Sequence, residues 1–173
     1  VSAARRPAVP GPRDEVDTLV AAWRRERPDL DPSPLQVFSR VARLAVLADR
    51  ERRAAFDAHA LEPWEFDVLS ALRREGAPYA LSPGALLRAT LVTSATMTHR
   101  VDRLAASGLV LRGPDPEDRR GVLVRLTDAG RVRVDAALAD LVSAEEGLLS
   151  SLGASERSDL AGLLRRLLLP LEE

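Results

Sequence analysis

Apolar residues recur at helical spacing along most of the chain and alternate with polar ones in only one short region. From Asp14 to Arg27, Val16, Leu19, Val20 and Trp23 share one side of a short helix that ends at Pro28. Ser33-Pro34-Leu35-Gln36 reads as a capping box with proline at the first helical position. It opens a long helix to about Ala58, with a stripe of Val37, Val41, Leu44 and Ala48 and arginine crowding the opposite face. A third helix, from Pro63 to Glu75, carries Phe66, Leu69 and Leu72 and stops at Gly76-Ala77-Pro78. Ser82-Pro83 starts a short helix to about Ala89. Thr93 caps another from Ser94 to Ser107, with Met97, Val101 and Leu104 inward and Gly108 closing it. Two alternating segments follow, Leu109 to Arg112 and Val122 to Leu126, separated by a loop rich in proline and charge. Thr127 caps a long helix to about Leu149 with stripe Val134, Leu138 and Leu141. Ser155 caps the last helix, Glu156 to Leu169, with stripe Leu160, Leu163, Leu164 and Leu167.

The order helix, turn, helix, hairpin predicts a mostly α fold with a small β-hairpin wing: a winged helix-turn-helix flanked by a helical dimerisation region. Residues 1–13 read as a flexible N-terminal tail, 14–60 as an extra helix plus a dimerisation helix, 61–127 as the winged helix-turn-helix and 128–173 as C-terminal dimerisation helices. Leu167, Leu168 and Leu169 are consecutive, so apolar surface covers most of the last helix and asks for partners on two sides. An intersubunit bundle supplies them; burial inside one subunit is the alternative.

Composition narrows the chemistry. The 173 residues fit one domain of ordinary size, and all 25 basic residues are arginine, because the chain has no lysine. Cysteine is absent too, so a Schiff base, a P-loop lysine, a thiol nucleophile, a disulfide and a redox-sensing sulfur are all excluded. Two histidines are too few for a zinc site without carboxylates. With no nucleophile-base pairing, glycine-rich phosphate loop or metal-ligand spacing, no catalytic residue, metal or cofactor is expected and the chain does not read as an enzyme. No apolar run approaches the roughly 20 residues a membrane helix needs, and a cytoplasmic location is expected.

Charge is segregated. Between Ser82 and Leu126 seven arginines face four acids, a local net of +3, while the remainder carries −4. A positive helix-hairpin in a nearly neutral chain is what phosphate contact requires. The first turns of the Ser94 helix offer Ser94, Ala95, Thr96, Thr98 and His99, small side chains that let a helix approach base edges in a major groove. Arg103 lies on the same helix, and Arg119 and Arg120 lie at the hairpin tip, where an arginine can enter a minor groove. Double-stranded DNA is therefore the expected partner. The competing reading is a winged helix that serves dimerisation or protein contact without sequence-specific DNA binding.

The run from Leu61 to Ala129 carries Phe66-Asp67-Val68-Leu69, Val101-Asp102-Arg103-Leu104 and Gly108-Leu109-Val110. It continues with Asp115-Pro116-Glu117-Asp118-Arg119-Arg120-Gly121 and Leu126-Thr127-Asp128-Ala129-Gly130. In these motifs the chain resembles MarR-family transcriptional regulators. The resemblance implies a homodimer on a pseudo-palindromic operator, a repressor role, and release by a small molecule.

The extra N-terminal helix resembles the urate-responsive subgroup of that family, which implies an anionic effector: urate, xanthine or a small carboxylate. The implied ligand residues are Trp23, Asp67 and Arg100, with Ser33 as a further member. Read from the residues, Arg100 borders the Met97-Leu104 stripe, and a guanidinium there needs an acid or an anion. Asp67 can supply that charge as a structural ion pair, and an anion that pairs with Arg100 and repels Asp67 would break it. Trp23 equally suits docking of its helix, and Ser33 is explained by capping alone. His99 offers either a phosphate donor or a pH-sensitive charge. Thiol oxidation is excluded as a signal.

Overall fold

The structure is a computed structural model that describes residues 13–90, 94–115 and 121–171. Seven α-helices and three strands are seen among these residues. In chain order they are α1 (Glu15–Glu26), α2 (Ser33–Asp57), α3 (Pro63–Arg74), β1 (Ala80–Leu81), α4 (Pro83–Thr90), α5 (Ser94–Ala106), β2 (Val110–Pro114), β3 (Val122–Leu126), α6 (Asp128–Leu148) and α7 (Ala154–Leu168). A 3-10 turn over Leu169–Leu171 ends the described chain. The mostly α fold with a β wing is as the periodicity predicts, and no described helix is long and apolar enough to cross a membrane. The N-terminal tail up to Pro12, the cap expected at Thr93 and the wing tip over 116–120 lie outside the described residues.

Two compact units divide at Asp49 and Arg50, inside α2. The division follows packing: the last turns of α2 bury Ala55 and Phe56, and the Phe56 ring stacks on Phe66 of α3 at 4.1 Å. In this second unit, Leu69 and Leu72 of α3, Leu86 of α4, Met97, Val101 and Leu104 of α5, Val110 and Val124 of the sheet and Val134 of α6 share one core. The antiparallel sheet has the order β1-β3-β2, with Val110 opposite Leu126 and Ala80 opposite Arg125.

Thr127 ties three elements together at the end of β3. Its hydroxyl accepts from the Gly130 N–H at 2.9 Å, capping α6, and lies 2.9 and 3.0 Å from the carbonyls of Gly108 and Leu109, to one of which it can donate. Gly108 takes a left-handed φ of 71°, so α5 can end and turn into β2 there. Gly130 packs so closely that a Cβ would sit 2.1 Å from the Leu109 carbonyl oxygen. The end of α5, the sheet and α6 thus meet in close contact at Gly130 and Thr127.

In the first unit, α1 is capped by Asp14, which accepts from Val16 and Asp17. Arg40 of α2 donates to Asp14 at 2.8 and 2.9 Å and to Asp17 at 3.0 Å. Arg40 is the main reason the Asp14 carboxyl falls to about 2.

Several expectations are corrected. Strand β1 has only two residues, too few to alternate, and was not expected. Ser33 does not cap α2 through its own side chain: its N–H and hydroxyl both donate to Asp31, at 3.0 and 2.7 Å. Gly153, not Ser155, precedes α7, and Glu156 reaches back to accept from its N–H at 2.8 Å. The stripes of the long helices are not all buried. Val37, Val41 and Leu44 of α2, Leu138 of α6 and Leu163, Leu164 and Leu167 of α7 are exposed, and α7 buries no residue.

Gly130→Ala forces a methyl group into a backbone carbonyl, and overpacking of this kind costs about 1–3 kcal/mol or more. The expected outcome is a lower thermal midpoint for Gly130→Ala than for Gly147→Ala, because Gly147 has open space around it. Equal midpoints would show that Leu109 gives way freely.

Candidate nucleic-acid interface

Helix α5 exists as a helix because of one stripe. Met97, Val101 and Leu104 are 0–2% exposed and face the core, which turns Thr96, Thr98 and His99 outward, where all three are exposed. Ser94 and Ala95 open the helix, and their side chains lie outside the described residues. The outer face of the first turns therefore carries small polar groups and no acid, the surface a major groove admits.

Arg100 and Arg103 occupy the flank of that stripe on successive turns and rest on the same indole. Their guanidinium carbons lie 5.3 and 4.8 Å from the centre of the Trp64 ring. Glu62, just before α3, completes the cluster by accepting from Arg103 Nη2 and from Trp64 Nε1, each at 2.6 Å. Arg103, then Trp64, hold the Glu62 carboxyl below the usual carboxylate range. Trp64 and Glu62 were not singled out from the sequence. Their signal was present in the spacing of Arg100 and Arg103, three residues apart on the edge of an apolar stripe.

The ion pair considered between Asp67 and Arg100 is not formed. Asp67 pairs instead with Arg52 near the end of α2, and Arg52 also lies over the Phe56 ring at 5.2 Å. Trp64 of α3 meets the arginines of α5, whereas Asp67, nearly one turn further along α3, meets Arg52 of α2. Among the described residues Arg100 has the indole and no carboxylate.

The wing is anchored to the helix by charge. Arg112 of β2 donates to Asp102 of α5 at 2.5 Å, and the ladder runs on to Asp115, whose N–H donates to Gly121 at 3.0 Å. Arg119 and Arg120 lie outside the described residues. Local charge is therefore less available than its sum suggests, since Arg103 and Arg112 each hold an acid.

Two expected ligand residues belong to the first unit. Trp23 is 49% exposed and lines a groove of about 390 Å³ with Leu30, Pro32, Pro34 and Leu35. Ser33 is exposed and committed to Asp31.

Comparison with known proteins gives this arrangement its context. The model of the MarR family matches residues 61–121, which contain α3 to β2. The HTH-type transcriptional regulator PecS of Dickeya dadantii is 40% identical over 152 residues, 88% of this chain and 92% of PecS. The chain belongs to the MarR family of transcriptional regulators. Among solved structures, a mutant MarR from E. coli complexed with operator DNA superposes with a TM-score of 0.65 at 26% identity, covering 80% of this chain and 98% of that one. BpsR of Bordetella bronchiseptica, described for the regulation of its DNA binding by 6-hydroxynicotinic acid, gives a TM-score of 0.57 at 32% identity. It covers 73% of this chain and 91% of that one. As a MarR-family regulator the chain is a DNA-binding transcription factor, and α4 and α5 with the β2–β3 wing form its winged helix-turn-helix.

Glu62 holds the Arg103 guanidinium, so any phosphate that approached Arg103 would compete with it. Glu62→Gln weakens that hold, so duplex affinity should rise roughly two- to fivefold and fall more steeply with salt. Fluorescence anisotropy across a salt series measures both, and weaker binding with a flatter slope would show that Glu62 positions Arg103 for DNA.

Proposed function

We propose that the chain is a ligand-responsive repressor that binds a pseudo-palindromic operator as a homodimer and leaves it when a small anion binds. The observation that carries the reading is the division of α5 into a buried stripe and a small polar outer face, followed by an arginine-anchored wing. Ser94, Ala95, Thr96, Thr98 and His99 face base edges, Arg103 takes a phosphate, and Arg119 and Arg120 reach the minor groove.

Dimerisation is supported by surface that a monomer leaves uncovered. Leu163, Leu164, Leu167 and Leu168 lie exposed on α7, and Val37, Val41, Leu44 and Leu47 lie exposed on α2. Apolar helix faces of this extent mark a protein interface, and a two-fold dimer spaces its recognition helices about one DNA turn, roughly 10 bp, apart.

The effector is a planar anion: urate, xanthine or a small carboxylate. Arg100 supports this choice, as a half-buried guanidinium with an indole but no carboxylate among the described residues. The effect of 6-hydroxynicotinic acid on BpsR is a precedent for an effector of this chemical kind. A releasing ligand must bind one state better than the other. An anion that draws Arg100 from Trp64 removes part of what seats α5, and a cation-π contact at an exposed site is worth only about 0.5–1 kcal/mol. Trp23, Asp67 and Ser33 are the further ligand residues that the resemblance to the urate-responsive subgroup implies.

Two outcomes are expected. Arg119→Ala and Arg120→Ala each weaken operator binding in a gel shift, and unchanged affinity for both contradicts the wing assignment. Arg100→Ala abolishes urate-induced release while the protein still sediments as a dimer, and a normal response in that variant contradicts the effector assignment.

A further inference from the structure

The groove beside Trp23 has the chemistry of a site for an extended, proline-rich chain. Trp23 forms one wall, and Leu30, Pro32, Pro34 and Leu35 supply the rest of its apolar lining. About half of the indole is open to solvent. Among the described residues its Nε1–H has no acceptor, unlike that of Trp64, which donates to Glu62. A tryptophan with an open face and a free donor suits a ligand that brings both apolar surface and a carbonyl oxygen. Polyproline II brings both, because it makes no internal hydrogen bonds and leaves its carbonyls outward.

The chain carries such a segment next to this groove, within residues 1–12, which lie outside the described residues. It reads Pro7-Ala8-Val9-Pro10-Gly11-Pro12, and each proline also steers the residue before it toward extended backbone. Reach fits as well. Trp23 follows Asp14, the cap of α1, at a helical rise of about 14 Å. Polyproline II advances about 3.1 Å per residue, so Pro10 and Pro7 lie about 12 and 22 Å of chain back from Asp14. Charge agrees: Arg5 and Arg6 precede Pro7, and Asp31 on the groove rim is bonded only by Ser33 among the described residues. Arg27 on the same rim is turned to Asp29, at 2.8 and 2.7 Å.

We propose that the chain's own Pro7–Pro10 segment folds back along α1 and occupies the Trp23 groove, with one of its carbonyls accepting from Trp23 Nε1. A segment tethered this closely meets the groove at an effective concentration on the order of millimolar, so weak contacts suffice. The tail then covers the indole, and an effector that uses Trp23 has to displace it. The inference stands apart from the DNA-binding reading, and its test uses no DNA.

The test is photo-crosslinking in the full chain. p-Benzoylphenylalanine in place of Ala8 should, on irradiation, join a peptide from residues 23–35 of the same chain, read by mass spectrometry on mixed light and isotope-heavy protein. Pro7→Gly with Pro10→Gly loosens the extended segment and should lower that yield about threefold. Crosslinks only between light and heavy chains give the groove to a second copy and overturn the proposal, as do crosslinks elsewhere or none. A second measurement needs no crosslinker. In NMR spectra of the unlabelled-tail wild type, the Trp23 indole N–H should show cross-relaxation to protons of Pro7–Pro10 and exchange with water more slowly than in the glycine pair. Equal exchange without cross-relaxation overturns the proposal.

Discussion

Met97, Val101 and Leu104 bury one stripe of α5 so completely that the direction of every other residue on the helix follows from them. The outer face is left to small polar groups, and the flank is left to Arg100 and Arg103, which settle on Trp64. Three further ties hold the helix to its surroundings: Glu62 to Arg103, Asp102 to Arg112, and the Thr127 hydroxyl at the carbonyls where α5 ends. None of these polar ties is deeply buried, so the helix is located by its apolar stripe and trimmed by polar contacts at its edges.

That division of labour explains how a chain of net charge −1 can hold a DNA-facing surface. Acids within the winged segment do not cancel its positive field at random. Asp102 and Glu62 each hold a particular arginine in a particular direction. Arginine as the only fixed cation matters here, since a guanidinium can stack on an indole and donate to a carboxylate at once, as Arg103 does. An ammonium group would do this less well.

Most of the fold was legible because its signals are local. The cap at Thr127, proline near the start of α3 and α4, glycine after α5 and an alternating hairpin each act within a few residues. What escaped is not local. Periodicity reports that a face is apolar but not what covers it, so Val41 and Leu163 read like Leu72 although only Leu72 is buried. Partner choice among 25 arginines depends on which helix faces meet, and so Asp67 went to Arg52 and Arg100 to Trp64. The outward residues of α5 were readable because they are simply those the stripe does not use.

The central claim is that α5 enters the major groove while the wing lies along the minor groove. Methylation protection separates the two, because dimethyl sulfate attacks guanine N7 in the major groove and adenine N3 in the minor groove. On the tightest duplex selected from a random pool, the account predicts guanine N7 protection in two patches about one helical turn apart, flanked by adenine N3 protection. Tight binding with every guanine N7 still reactive would contradict it.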